Sequence, residues 1–182
     1  MHYEDQKYYH IFNRGANKQK IFYCDENYSY CLRLFKKYLD RYNVSMIAYC
    51  LMPNHYHLLI RQNEAGSISR FLQTVFNSYS QAFNRMSGHS GTLFEGRPKS
   101  VEVVDDNYAV RLCAYIHRNP VAAKLVSRPE DWRFSDYVDW IGMRETCMSD
   151  LSFRDSHFNL PAEYKDFVLS SPGNQGNPCE PS

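Results

Sequence analysis

The chain has 182 residues, 43% of them hydrophobic and 15% aromatic, with a formal net charge of +1. That length suits one domain with a core of its own and an appendage, and falls short of two full domains. No apolar run approaches the ~18–20 residues that span a bilayer, and Met1-His2-Tyr3-Glu4-Asp5 lacks the apolar stretch of a signal peptide, so a cytoplasmic protein is expected.

Six scattered cysteines with no C-x-x-C pair argue against a disulfide framework or a thiolate zinc site. The near-zero net charge is a cancellation. Residues 1–128 carry 17 basic and 10 acidic side chains, net +7, whereas residues 129–182 carry 4 and 10, net −6. A basic body suits a polyanionic partner. The acidic end suits a solubilising appendage or an internal mimic of that partner.

In chain order, KYYHIFNRG (Lys7 to Gly15) is rich in β-formers and ends in a turn signal, which predicts a first strand. From Asp25 to Tyr42 apolar residues recur every three or four positions, predicting a helix capped by Asp25. VSMIAYCLM (Val44 to Met52) and HYHLLIR (His55 to Arg61) flank Pro53-Asn54 and predict a hairpin. Ser67 to Met86 repeats the helical period, with Tyr79 and Phe83 as core positions. Ser100 to Asp105 alternates like a strand. Asp106 then opens a helix expected to stop near Arg118, because Pro120 disfavours helical geometry at Asn119. The order β-α-β-β-α-β plus a helix predicts an α+β, ferredoxin-like split β-α-β plan: an antiparallel sheet with two covering helices and a late helix. Beyond Pro129 a short tryptophan-bearing helix (Asp131 to Ile141) and a Pro/Gly/Asn-rich end are expected. The divisions are 1–128 as the catalytic domain, 129–169 as an acidic extension and 170–182 as a disordered tail.

Within the hairpin, residues two apart share a face, so His55 and His57 present two imidazoles side by side while Tyr56, Leu58 and Ile60 face the other way. Such a pair can share a metal ion; it can also be two half-exposed strand histidines. On the late helix Tyr115 and Asn119 are four apart and share a face. Asn119 can offer its carbonyl oxygen to a hard cation, or simply end the helix before Pro120.

Four stretches occur in register: Pro53-Asn54-His55-Tyr56-His57-Leu58-Leu59, SRFLQTVFNSYSQAFNR (Ser69 to Arg85), GTLFEGRPKS (Gly91 to Ser100) and YIHRNPVAAKLV (Tyr115 to Val126). Together they resemble the single-tyrosine HUH transposases of small insertion sequences, and within these the branch associated with repetitive extragenic palindromes (REP). The resemblance covers about Tyr8 to Tyr137.

It implies that His55 and His57 hold Mg²⁺ or Mn²⁺ against a scissile phosphate of single-stranded DNA, with Asn119 completing the metal shell. Tyr115 attacks phosphorus, leaving a 5′-phosphotyrosine and a free 3′-OH. A phenol of pKa ~10 is a weak nucleophile at neutral pH, so metal assistance is reasonable. Imidazole ligands make Mn²⁺ the better expected activator. Tyr56 departs from the bulky aliphatic usual between the two histidines. It is expected to pack under the helices, with a hydroxyl that needs a partner.

Cations track a single strand's backbone, and Arg14, Arg97 and Lys99 are the expected DNA contacts. The implied partner is single-stranded DNA with hairpins, with no membrane. Both a homodimer with shared sites and a monomer fit the resemblance. Two other readings compete: an inactive hairpin-binding protein of the same fold, and a hydrolase that uses water in place of Tyr115. The acidic extension is expected to restrain activity or to cover the basic face.

Overall fold

A computed structural model describes residues 3–88, 90–145 and 148–171. Four strands, β1 (Tyr8–Arg14), β2 (Val44–Met52), β3 (His55–Gln62) and β4 (Lys99–Val103), form one antiparallel sheet in the order β2-β3-β1-β4. Helix α1 (Asp25–Leu39) links β1 to β2, and α2 (Ser67–Ser87) links β3 to β4. This is the expected ferredoxin-like α+β plan.

The strand period decides what each face touches. Ile11, Tyr56, Leu58 and Ile60 pack with Phe35, Phe71 and Val75 of α1 and α2 in one core. Tyr79 and Phe83 are buried there too, as their spacing predicts. The opposite face, through Ile47, Ala48, Cys50 and Leu59, packs under α3 (Asp106–Ala122). It also meets the short helices α4 (Tyr137–Trp140), α5 (Ser152–Asp155) and α6 (Pro161–Ser170). β2 therefore needs apolar residues on both faces, which explains its nearly continuous apolar run. A register shift between Met46 and Ala48 interrupts the alternation and puts two successive residues, Ile47 and Ala48, in the core under α3.

Element ends depart from expectation where local chemistry differs. Cys24, not Asp25, is the N-cap of α1, and Asp25 instead places its charge in the first turn. The helix tightens into a 3₁₀ turn at Asp40–Tyr42 and stops at left-handed Asn43. Asp105 caps α3 by accepting from the Tyr108 N–H at 3.1 Å, and Asp106 is already helical.

Helix α3 continues through Pro120 to Ala122 instead of stopping near Arg118. The N–H groups of Ala123 and Leu125 bond the Asn119 and Pro120 carbonyls at 2.9 Å, so the turn after the proline holds Asn119 helical. The predicted helix from Asp131 to Ile141 shrinks to the single turn of α4. Before it, the chain bonds to the free edge of β2: Trp132 Nε1 donates to the Leu51 carbonyl and the Leu51 N–H to the Phe134 carbonyl. The predicted tail falls almost wholly outside the described residues.

Much of the acidic charge after residue 128 meets cations nearby. Asp131 pairs with Arg128, Asp139 with Arg144, Asp150 with Arg61, Asp155 with Arg154 and Glu130 with Lys165. Asp136 is fully buried. It accepts from the Tyr49 N–H at 2.8 Å and the Ser149 hydroxyl at 2.7 Å, and lies 2.9 Å from His117 Nε2. His117 Nδ1 in turn meets the Tyr164 hydroxyl at 2.6 Å, so one polar network joins β2, α3 and the extension.

Asp136→Ala strands three buried groups at once. It should lower stability by about 3 kcal/mol or more, seen as a loss of that size in chemical denaturation at unchanged m-value.

Candidate active site

The Pro53-Asn54 turn is anchored on both sides. The Pro53 carbonyl accepts from the N–H groups of Ile21 and Phe22, at 2.7 and 3.0 Å, and the Asn54 carbonyl from that of Gly15 at 2.8 Å. Gly15 is required by close approach, since a Cβ there would lie 2.1 Å from the Gln19 carbonyl oxygen. With the turn fixed, β3 delivers His55 and His57 to the face opposite α1 and α2. Their rings are 5.1 Å apart and nearly perpendicular.

His55 is half-buried, and its Nδ1 lies 2.7 Å from Asn54 Oδ1. That oxygen can only accept, so Nδ1 carries the hydrogen, and in the neutral ring the lone pair is on Nε2. His57 is 2% exposed, and its Nε2 has no hydrogen-bond partner. Its Nδ1 lies 3.0 Å from Nε2 of His10, a fully buried histidine of β1. Burial, with smaller contributions from His10 and His55, holds His57 well below the ordinary imidazole range. Burial pushes His10 down to about 4. Both rings are therefore neutral at physiological pH, the state in which an imidazole can ligate a cation.

The late helix brings Tyr115 to this pair. Its half-buried ring sits 5.5 Å from the His57 ring, edge to face. One turn on, Asn119 is 6% exposed and donates through Nδ2 to the Tyr115 carbonyl at 3.1 Å. Asn119 thus bonds to the tyrosine's backbone and not to a histidine. Its side-chain oxygen is the atom that could serve a hard cation. Among the described residues no group of three or more His, Cys, Asp or Glu side chains is placed to hold a metal ion. A cation at these imidazoles would complete its shell with oxygens of the Asn119 amide, the substrate or water.

The histidines open onto a cleft of about 560 Å³ lined by Arg14, Lys18, Arg97 and Lys99 as well as His55 and His57. Arg14 is engaged by Glu95 through both ends of its guanidinium, and that pairing holds the exposed Glu95 carboxyl below its usual range. Arg97 and Lys99 are exposed at the rim. No described residue beyond Pro129 lines this cleft, whereas Asp150 of the extension pairs with Arg61 elsewhere on the basic body. Sequence reasoning left His10 unassigned and did not single out Lys18. Arg61 lies elsewhere, against Asp150.

Tyr56 packs as expected, fully buried with its ring stacked on Phe76 at 4.3 Å. Its hydroxyl lies near the Asn13 side chain but makes no hydrogen bond of good geometry.

Residues 4–119 match the family described as Transposase IS200 like. The chain belongs to that family and is a transposase, a DNA-processing enzyme by class. The fold is similar to that of a REP-associated tyrosine transposase solved bound to a REP hairpin: TM-score 0.62, 15% identity, 78% of this chain and 82% of that one covered. A Deinococcus radiodurans protein assigned as a transposase aligns less fully in shape, with TM-score 0.46, 16% identity and coverage of 64% and 92%. No curated protein matches the chain. Among the described residues no helix is long and apolar enough to cross a membrane.

Because the Tyr56 hydroxyl is buried without a good partner, Tyr56→Phe should keep or raise stability, by up to about 1 kcal/mol. Parallel urea melts of the two proteins would check this.

Proposed function

We propose that this chain cleaves and rejoins single-stranded DNA at hairpin elements, in a metal-dependent reaction through a 5′-phosphotyrosine on Tyr115. The observation that carries this reading is the meeting of the Tyr115 ring with His57, which with His55 lines a cationic cleft. The REP hairpin bound to the solved transposase of similar fold supports hairpin DNA as the partner.

Arg14, Arg97 and Lys99 hold the backbone of the strand and bring one phosphate to the histidines. The Tyr115 oxygen attacks phosphorus, an O–P bond forms, and the bond from phosphorus to the 3′-oxygen breaks. The proton that the phenol gives up is balanced by the one gained at the departing 3′-OH. Because the phosphotyrosine keeps the energy of the broken diester, attack by a 3′-OH reverses the step and rejoins DNA without ATP. A divalent cation, Mg²⁺ or Mn²⁺, would polarise the phosphoryl oxygens and stabilise the charge that develops on them. His55, His57 and Asn119 would hold it, and the fit rests on two adjacent imidazoles, of which His57 is kept neutral by burial and has a buried Nε2 with no hydrogen-bond partner. His55, His57 and Tyr115 come from a single chain, which supports a site assembled without a second copy. Residues 1–128 carry the chemistry, and 129–169 form the extension that braces α3.

Incubation with labelled hairpin oligonucleotides and Mn²⁺ should give a covalent adduct on a denaturing gel, absent without metal and lost in Tyr115→Phe and His55→Ala. Hairpin binding by the wild type with no adduct would replace this reading with that of an inactive hairpin binder. Cleavage that survives Tyr115→Phe would point to a water-using hydrolase.

The cleft cations make a separate prediction. Arg97→Ala and Lys99→Ala should each weaken binding to oligonucleotides of any sequence and reduce the slope of log K against log salt by about 0.7 to 1. A salt titration by fluorescence anisotropy reads this directly.

A further inference from the structure

His10 is the one imidazole of the site for which the transposase chemistry above has no use. It lies on β1 opposite Leu59, while Phe12 is opposite His57, so His10 and His57 are diagonal neighbours on one face of the sheet. Their rings are near-parallel, with centroids 5.2 Å apart, and His10 Nε2 is 3.0 Å from His57 Nδ1. His10 is fully buried, and neither its Nδ1 nor the Nε2 of His57 has a hydrogen-bond partner.

One hydrogen is shared between two neutral rings, and its position decides what His57 can do. If His10 Nε2 donates, His57 must carry its own proton on Nε2, and that nitrogen cannot bind a cation. If His57 Nδ1 donates, the Nε2 lone pair is free, and His10 carries its proton on Nδ1. The second arrangement is the one in which a ligating histidine's remote nitrogen is held by an acceptor behind it.

We propose that His10 is a positioning residue: its Nε2 accepts the Nδ1–H of His57 and so fixes both the ring orientation and the tautomer that presents the Nε2 lone pair to the cleft. The consequence for metal binding rests on the reading of His57 as a ligand, but the tautomer itself does not.

Two measurements on the full chain test this. Long-range ¹H–¹⁵N correlation of the histidine rings, without metal, should show His57 protonated at Nδ1 in the wild type and in His10→Gln, whose side-chain oxygen can replace the acceptor. In His10→Leu, which keeps an apolar filling but has no acceptor, the proton should move to Nε2. Manganese titration followed by electron paramagnetic resonance should give His10→Gln an affinity near that of the wild type, and His10→Leu a loss of about 10- to 100-fold. Thermal melts of both variants would establish that they are folded. A wild-type His57 protonated at Nε2 would overturn the proposal, as would a folded His10→Leu that binds Mn²⁺ as tightly as the wild type. Equal Mn²⁺ uptake by the wild type and His55→Ala would instead remove the metal reading of the histidine pair, and the tautomer result would still decide the role of His10.

Discussion

The two-residue period of β3, a central strand covered on both faces, is the constraint on which the rest of the molecule depends. Tyr56, Leu58 and Ile60 enter the core under α1 and α2, while His55, His57 and Leu59 take the face toward α3. A slip of one residue would drive both imidazoles into an apolar core and leave a tyrosine at the cleft. Burial on the helix face therefore enforces the register that pairs the histidines. The hairpin turn reinforces it, because three backbone bonds reach Pro53 and Asn54 from Gly15, Ile21 and Phe22, and the segment that makes them turns so tightly that a Cβ on residue 15 would meet the Gln19 carbonyl oxygen. The site is precise because its strand is also a core strand.

Charge is divided by the same architecture. The acidic half of the chain does not lie over the basic half as a cloud. Several of its carboxylates are paired one by one, Asp139, Asp155 and Glu130 with cations of the extension and Asp131 and Asp150 with Arg128 and Arg61 of the body. Among the described residues lining the cleft, Glu95 is the one carboxylate, and it holds Arg14. A phosphate entering the cleft therefore competes with Glu95 for Arg14, whereas Arg97 and Lys99 stand at the rim. The contrast in net charge visible in the sequence is real, but its physical meaning lies in these local pairings.

What could be read from the sequence was what local periodicity encodes. Strand alternation predicted the hairpin and the shared face of His55 and His57. The three-four spacing predicted α1 and α2 and placed Tyr79 and Phe83 in the core. What could not be read depended on partners distant in the chain. His10 is 47 positions from His57, and only the pairing of β1 with β3 brings them together. The extent of α3 was misjudged because a proline rule is local, while the bonds that hold Asn119 helical come from the turn that follows. Residues 132–135 carry helical-looking spacing but bond to the free edge of β2, an opportunity no local pattern reveals. The role expected of Tyr115 came from the family motifs, since spacing alone left it open.

The placement of Tyr115 shows how the distant parts bear on the chemistry. Positions 115 and 117 are about 200° apart around a helix, so a residue that anchors α3 and one that works at the site can sit two apart in sequence. Tyr115 meets His57 on the sheet side, whereas His117 meets Asp136 and Tyr164 on the other. Asp136 also bonds the Tyr49 N–H, which ties the anchor back to β2, the strand next to the one that carries the histidines. The helix that carries the proposed nucleophile is thus held from behind by a buried polar network built largely from the extension. The same sheet that positions the two imidazoles also supplies the fixed point against which the tyrosine is positioned. Packing alone would allow α3 to slide by fractions of an ångström along an apolar face. A fully buried carboxylate with three partners does not allow that, because any slide leaves a donor unpaired.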